Sequence, residues 1–323
     1  MLRFANAHRA RIPELDWFAE EVDQVSAGAV RISFVDGWTT RDHPTEETAT
    51  VAAVGHHQAD LGWAGTRAFG CLGVRSLDAL QTPFLLEDYA ALDAVCRDEV
   101  VAEMLEPLRR LGFLGLVILP GAQRKPFAFS RRLLAPRDYE DTRLRIHESL
   151  VAESTYRALG AEAVTLSVNQ MMTEPEALIH GLDLQTEALA VWGLRGSITF
   201  NINLWPRTIA IVASTKTYEW LGEAERVVLH TASARTLSRA LEQLADQELR
   251  DREAVPPDVT AVYADDEQVV AMRRRVEPVR EELRSHPEAG HFLERLEAIV
   301  DRTGTCGRET AEGRALGELA QRD

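Results

Sequence analysis

The stretch Thr142–Ser149, TRLRIHES, alternates apolar and basic residues at a spacing of two. That period belongs to a β-strand with two unlike faces. Leu144 and Ile146 are expected to enter a core, while Arg143, Arg145 and His147 share the opposite face. Three adjacent cationic side chains on one strand face can do one kind of chemistry well, which is to hold an anion. A guanidinium stays charged at any physiological pH, and its planar fork matches a carboxylate in two parallel hydrogen bonds. The competing expectation is a wet face neutralised by some of the 51 carboxylates of the chain.

Those carboxylates set the background. With 36 basic residues against 51 acidic ones, the 323-residue chain has a formal net charge of −15. Such a surface repels nucleic acid and anionic lipid, so any bound anion must be held by local basic groups. The chain is 45% hydrophobic and 27% charged, a globular composition, and its length suggests two domains. No run of 18 apolar residues exists, so no membrane insertion is expected. Cys71, Cys96 and Cys306 are far apart, show no CxxC spacing and imply no disulfide framework. No charged-then-apolar leader precedes the first strand, which leaves a cytosolic chain or a mature exported domain as the two expectations.

No motif for covalent or cofactor chemistry is present: no GxGxxG, P-loop, GxSxG elbow, HExxH or paired zinc cysteines. His56 and Asp60 in GHHQAD would share a helix face, but no third or fourth metal ligand accompanies them. A catalytic residue, a metal and a cofactor are therefore not expected, and weight shifts from enzyme to binding protein.

The elements that would position the basic strand follow from period and punctuation. LRFANAH reads as a short strand with a polar end, and ELDWFAEEVDQVSAG as a helix with Leu15, Phe18, Val22 and Val25 on one face and Gly28 as its stop. AVRISFV is a strand, PTEETATVAAVGHH a helix opening on Thr45, and ADLGWAG a strand. This β-α-β-α-β order predicts a largely parallel sheet covered on both faces, with ligands at the carboxyl ends of its strands. Asn6, His8, Trp38, Trp63 and Thr66 occupy such ends. FLGLVILPG is apolar enough for a strand buried on both faces or passing between domains, and a second unit begins near Gly121. SITFNINLWPRTIAIVAS reads as long strands returning to the first domain, where Phe200 lies among polar residues. From about Thr217 the chain is helical, with an expected kink or break at Pro278. The expected division is a first α/β domain over 1–120, a second over 121–209, and returning strands plus C-terminal helices over 210–323. A two-domain α/β chain with repeated crossovers suits a clamshell that closes on a small molecule.

Several segments together resemble the solute-binding receptors of tripartite ATP-independent periplasmic (TRAP) transporters. They are WFAEEVDQVSAGAVRISF, ADLGWAGT, LQTPFLLEDYAAL, LAPRDYEDTRLRIHES, ALGAEAVTLSVNQM and HGLDLQTEA. The resemblance implies a periplasmic-binding-protein-like α/β clamshell with hinge-crossing strands and a long helix. It also implies a periplasmic or cell-surface location, capture of a small organic acid, and delivery to membrane permease subunits. In that family an arginine in the strand after the PxDLxG-like turn grips the ligand carboxylate, and the matching position is Arg145. A second family arginine matches Arg124. Asn6, His8, Glu47, Trp63, Gly65 and Thr66 fall at ligand-facing positions of the first domain. Val168 stands where the family often has an aromatic residue, and Glu187 near a position that is often Asn. His57 and Asp141 stand where the family usually has glycine. The alternative is a cytosolic effector-sensing domain, or an enzyme, on the same fold.

Overall fold

The structure, a computed structural model, describes residues 1–39, 45–173 and 178–320. Ten strands are present among them: β1 (Leu2–Asn6), β2 (Ile32–Asp36), β3 (Leu61–Gly65), β4 (Phe113–Ala128), β5 (Arg143–Ile146), β6 (Glu162–Thr165), β7 (Gly181–Leu184), β8 (Gly196–Thr199), β9 (Trp205–Ser214) and β10 (Val259–Val262). β2, β1 and β3 pair in parallel, and β9 then pairs antiparallel to both β3 and β4. On the far end of β4, β7 pairs antiparallel, and β5 and β6 continue in parallel beyond it. β8 pairs with β4 and β10.

β4 is the element that joins the two halves. Its Phe113–Arg124 stretch pairs with β9 of the first half, and its Lys125–Ala128 stretch with β7 of the second. Sixteen residues at about 3.3 Å each span roughly 50 Å. The sequence predicts that the second unit begins near Gly121, with separate strands before and after it. The structure shows instead a register shift between Pro120 and Gln123, so the strand bulges there without ending. The strand can run on because it is buried along almost its whole length and most of its residues are apolar.

The first helix, Pro13–Val25, starts with proline at its N-terminal turn and buries Leu15, Phe18 and Val22. Those side chains pack with Leu2 and Phe4 of β1 and with Leu229 and Ala232 of the long helix Glu223–Leu244. The second half has its own core, in which Leu144 and Ile146 of β5 meet Tyr139, Tyr156 and Trp205. Helix Asp266–Ser285 runs through Pro278 without a break. Met272, Val276, Val279 and Leu283 are all buried along one face, and that packing outweighs the backbone hydrogen bond that proline removes.

His57 and Asp141 have φ of 63° and 55°, the left-handed region. Both match glycine in the family likeness, and an L-side chain there costs roughly 1–2 kcal/mol. His57 recovers part of this through a 2.6 Å hydrogen bond between its Nδ1 and Ser214 Oγ. Cys71 and Cys96 are free thiols. No helix among the described residues is long and apolar enough to cross a membrane.

Candidate functional site

The carboxyl ends of the parallel strands from both halves face one another across a cavity of about 770 Å³. His8 follows β1, Arg67 follows β3, His147 follows β5, Ser167 follows β6 and Gln185 follows β7, and all five line it. Arg124 reaches it from β4, and Arg207 and Ile209 from β9.

Arg145 lies deeper, in a narrow void it shares with Glu46, Glu47 and Arg67 of the first half and with His147 and Glu148 of the second. Its side chain is buried, with the residue only 3% exposed. Nε donates to the Leu166 carbonyl oxygen at 3.1 Å, and Nη1 donates to His147 Nε2 at 3.0 Å. Guanidinium nitrogens only donate, so His147 must accept at Nε2 and is neutral. Its pKa is held well below 6.5, first by burial and then by the Arg145 charge. No carboxylate lies within ion-pair distance of Arg145 among the described residues. Two of its five N–H groups are used, leaving three for an acceptor. Burial, and then the neighbouring charge of Arg124, bring its pKa down to about 10, which still leaves it cationic at neutral pH.

Arg124, Arg207 and Arg67, which also line the cleft, have partners. Arg124 donates through Nε to an Asp183 carboxylate oxygen and through Nη2 to the Asp183 carbonyl at 2.6 Å. Arg207 pairs with Glu14. Arg67 contacts Glu47 at 2.8 Å, and Glu47 also accepts from the Gly65 backbone N–H at 2.7 Å. Burial would raise the Glu47 pKa, but the Arg67 charge and the His8 contact more than offset it and hold the carboxyl well below its ordinary range.

His8 lies 2.9 Å from Glu46 and 3.5 Å from Glu47. Burial would lower its pKa, but the hydrogen bonds and charges of the two carboxylates raise it to about 9. The folded protein therefore keeps a proton between pH 6.5 and 9 that an unfolded histidine releases. This stabilisation is complete below 6.5 and lost as pH rises through 9. His8→Gln should be less stable than wild type near pH 6, and the gap should close by about pH 9.5. Urea unfolding at several pH values measures it; a gap that does not change with pH would remove the His8–Glu46–Glu47 arrangement.

The sequence candidates sort by placement. His8, Glu47, Trp63 and Arg124 line the cleft, and Arg145 lines the adjoining narrow void, which shares Glu46, Glu47, Arg67, His147 and Ser167 with it. Asn6 is fully buried behind Trp63: it accepts from Trp63 Nε1 at 2.8 Å and donates to Asp36 Oδ1 at 2.9 Å. Thr66 is tied to Thr208 by a 2.5 Å hydroxyl contact. Gly65 leaves room for the Arg67 guanidinium, which a Cβ there would strike. Val168 begins the helix Val168–Thr173, and its side chain lies outside the described residues. Phe200 and Glu187 are not brought to the cleft. The Phe200 ring lies under Lys125 Nζ at 4.6 Å and against Tyr263, because β8 ends there against β10. Glu187 is exposed and accepts from Gln247 Nε2 at 2.8 Å.

Sequence reading missed Arg67, Asp183, Trp192 and Arg207. Arg67 directly follows the ADLGWAGT segment, so its place beyond a strand end was a usable signal. The others depend on pairings between distant segments, such as Pro126 with Asp183 across β4 and β7.

Two α/β halves joined by strands shared between them, with a buried cation in the cleft, define a two-lobed binding protein of the periplasmic type. The chain belongs to the DctP family, bacterial extracellular solute-binding protein family 7, whose model matches residues 5–175. A C4-dicarboxylate-binding periplasmic protein of Rhodobacter capsulatus is 29% identical over 103 residues, a stretch covering 32% of this chain and 31% of that relative. Similar solved structures include a TRAP solute-binding protein of Xanthobacter autotrophicus Py2 with bound β-D-galacturonate, at TM-score 0.80 and 17% identity, covering 92% of this chain and 99% of that one. Another, from Ralstonia eutropha H16 with bound (S)-2-acetolactate, has TM-score 0.78 and 18% identity over 93% of this chain and 98% of that one. The ectoine-binding protein of the Halomonas elongata TeaABC TRAP transporter has TM-score 0.80 and 16% identity over 93% and 99%.

Proposed function

We propose that this protein is the extracytoplasmic receptor of a TRAP-type transporter, which captures a small organic acid between its lobes and delivers it to membrane permease subunits. The observation that carries the reading is Arg145: a guanidinium 3% exposed, between the two halves, with three unused donors and no carboxylate among the described residues paired to it. A buried cation without a counter-ion is unfavourable, and a ligand carboxylate supplies the counter-ion. Family membership and the acids bound by similar proteins support the same reading. In it, 1–120 and 121–209 are the two lobes, joined through β4 and β9, and 210–323 returns to the first lobe and braces both. Thr48 of the first lobe donates to Glu148 of the second at 2.5 Å, a contact that only the approached lobes can make.

A thermal-shift screen tests it with monocarboxylates, dicarboxylates, sugar acids, keto acids and aromatic acids. A ligand at hundredfold excess over Kd should stabilise the fold by about 2.7 kcal/mol. Shifts confined to neutral compounds would end the carboxylate reading.

A further inference from the structure

The charges facing the cleft nearly cancel in pairs. Arg124 is matched by Asp183, Arg207 by Glu14, and Arg67 with His8 by Glu46 and Glu47. His147 accepts a guanidinium hydrogen bond and is neutral. Among the described residues, Arg145 is the cleft arginine left buried and without a carboxylate. Arg9 also lines the cavity, but it is exposed, and a hydrated rim cation adds little to an ion pair. A second ligand carboxylate would have to displace Asp183 from Arg124, or approach Glu46 and Glu47. Both cost Coulomb energy in a partly desolvated space.

The remainder of the wall is mixed, with the neutral polar side chains of Thr39, Ser167, Asn169 and Gln185 beside a set of apolar ones. Ile12, Trp63, Leu184, Trp192 and Ile209 line the same cavity. Leu184 and Ile209 are 1% exposed and Trp63 3%, so they form a fixed surface, while Trp192 is half-buried at its edge. The cavity volume of about 770 Å³ lies in the upper part of the range for sites that enclose a whole organic ligand. A short polar diacid would leave this wall facing water.

We propose that the cleft selects acids with a single carboxylate on an apolar or aromatic body and discriminates against dicarboxylates. This rests on the carboxylate reading of Arg145, and it assigns Asp183 and Trp192 as specificity-determining residues. Asp183 cancels Arg124, an arginine that a diacid would use, and Trp192 covers the apolar body.

Titration calorimetry on the full chain tests it with phenylacetate and 4-methylpentanoate against succinate, glutarate, glucuronate and the uncharged phenylacetamide. The two apolar monoacids should bind at least about tenfold more tightly than either diacid or glucuronate, and phenylacetamide should not bind. Trp192→Ala should weaken phenylacetate about tenfold or more, without a comparable effect on glucuronate. Asp183→Asn keeps an acceptor for the Arg124 Nε and keeps the backbone contact, so it should fold, and it should strengthen succinate or glutarate relative to phenylacetate. If a diacid or glucuronate binds wild type as well as the apolar monoacids do, the specificity inference is overturned and the acid-receptor reading survives. If no acid binds and phenylacetamide does, both fall. The wild-type ranking alone decides the matter should a variant fail to fold.

Discussion

Arg145→Ala is expected to abolish most carboxylate affinity while leaving the unliganded fold about as stable as wild type, or more so. A hydrogen bond to a charged group contributes about 1.5–3 kcal/mol, so a two-pronged contact contributes roughly 3 kcal/mol or more, a loss on the order of a hundredfold in Kd. The stability expectation has the opposite sign. Burial, and then the like charge of Arg124, lower the Arg145 pKa from 12.5 to about 10. A base whose pKa falls on folding is penalised as a cation, and the penalty is full at every pH below about 10. It fades only as pH rises from about 10 to 12.5, where the native state sheds a proton that the unfolded state retains. At neutral pH the substitution removes that penalty. Against this stand two lost hydrogen bonds, to Leu166 O and His147 Nε2, each worth about 1 kcal/mol net. Calorimetric binding and urea unfolding on the same variant separate the two effects. A variant that binds acids as wild type does would show the strand face to be merely solvated. One that simply unfolds would show Arg145 to be a structural cation. Arg145→Lys should fall between, since an ammonium keeps the charge and loses the planar fork.

The trade of stability for binding at this position explains why it could be read from sequence. RLRI alternates at period two within a chain that otherwise repels anions, and local pattern alone puts Arg145 opposite to Leu144 and Ile146. In the structure all three are nonetheless buried, Leu144 and Ile146 in the core of the second half and Arg145 beneath the cleft. The parallel sheet of the first half was legible for the same reason, because its period-two strands and helix stops are local. Arg124 was legible as a candidate but its partner was not. Asp183 lies 59 residues away and meets it only because β4 and β7 run antiparallel in one register. Phe200 shows the reverse error. Polar neighbours in sequence suggested an open strand end, but β10, contributed by a distant segment, covers that end. A one-sequence reading sees which side chains share a face; it does not see which strand will lie beside them.

The largest loss of stability should come from a residue outside the cleft, Asp251, which is 1% exposed on the helix Gln247–Glu253. Its Oδ2 accepts from Tyr89 Oη at 2.6 Å, and its Oδ1 accepts from Thr186 Oγ1 and from Gln247 Nε2, both at 3.0 Å. Tyr89 belongs to the first half and Thr186 follows β7 of the second, so one carboxylate ties both. Tyr89 Oη also accepts from the Gln123 backbone N–H at 3.0 Å, at the register shift of β4. The bulged strand is thus fixed through a phenol whose own ionisation is suppressed, first by burial and then by Asp251. Asp251→Ala strands the Thr186 hydroxyl, takes one of two acceptors from the Gln247 amide, which keeps Glu187, and leaves the phenol only its contact with Gln123. At about 1–3 kcal/mol for each buried donor left without an acceptor, the expected loss is on the order of 4 kcal/mol. Asp251→Asn should lose less, because one oxygen still accepts while the new amide faces a donor. None of Tyr89, Thr186, Gln247 and Asp251 lines the cavity, so the order of preference among acids should be unchanged in whatever fraction folds. Urea unfolding of Asp251→Ala decides it: a loss below about 1 kcal/mol would mean that water replaces the carboxylate and that it does not tie the halves.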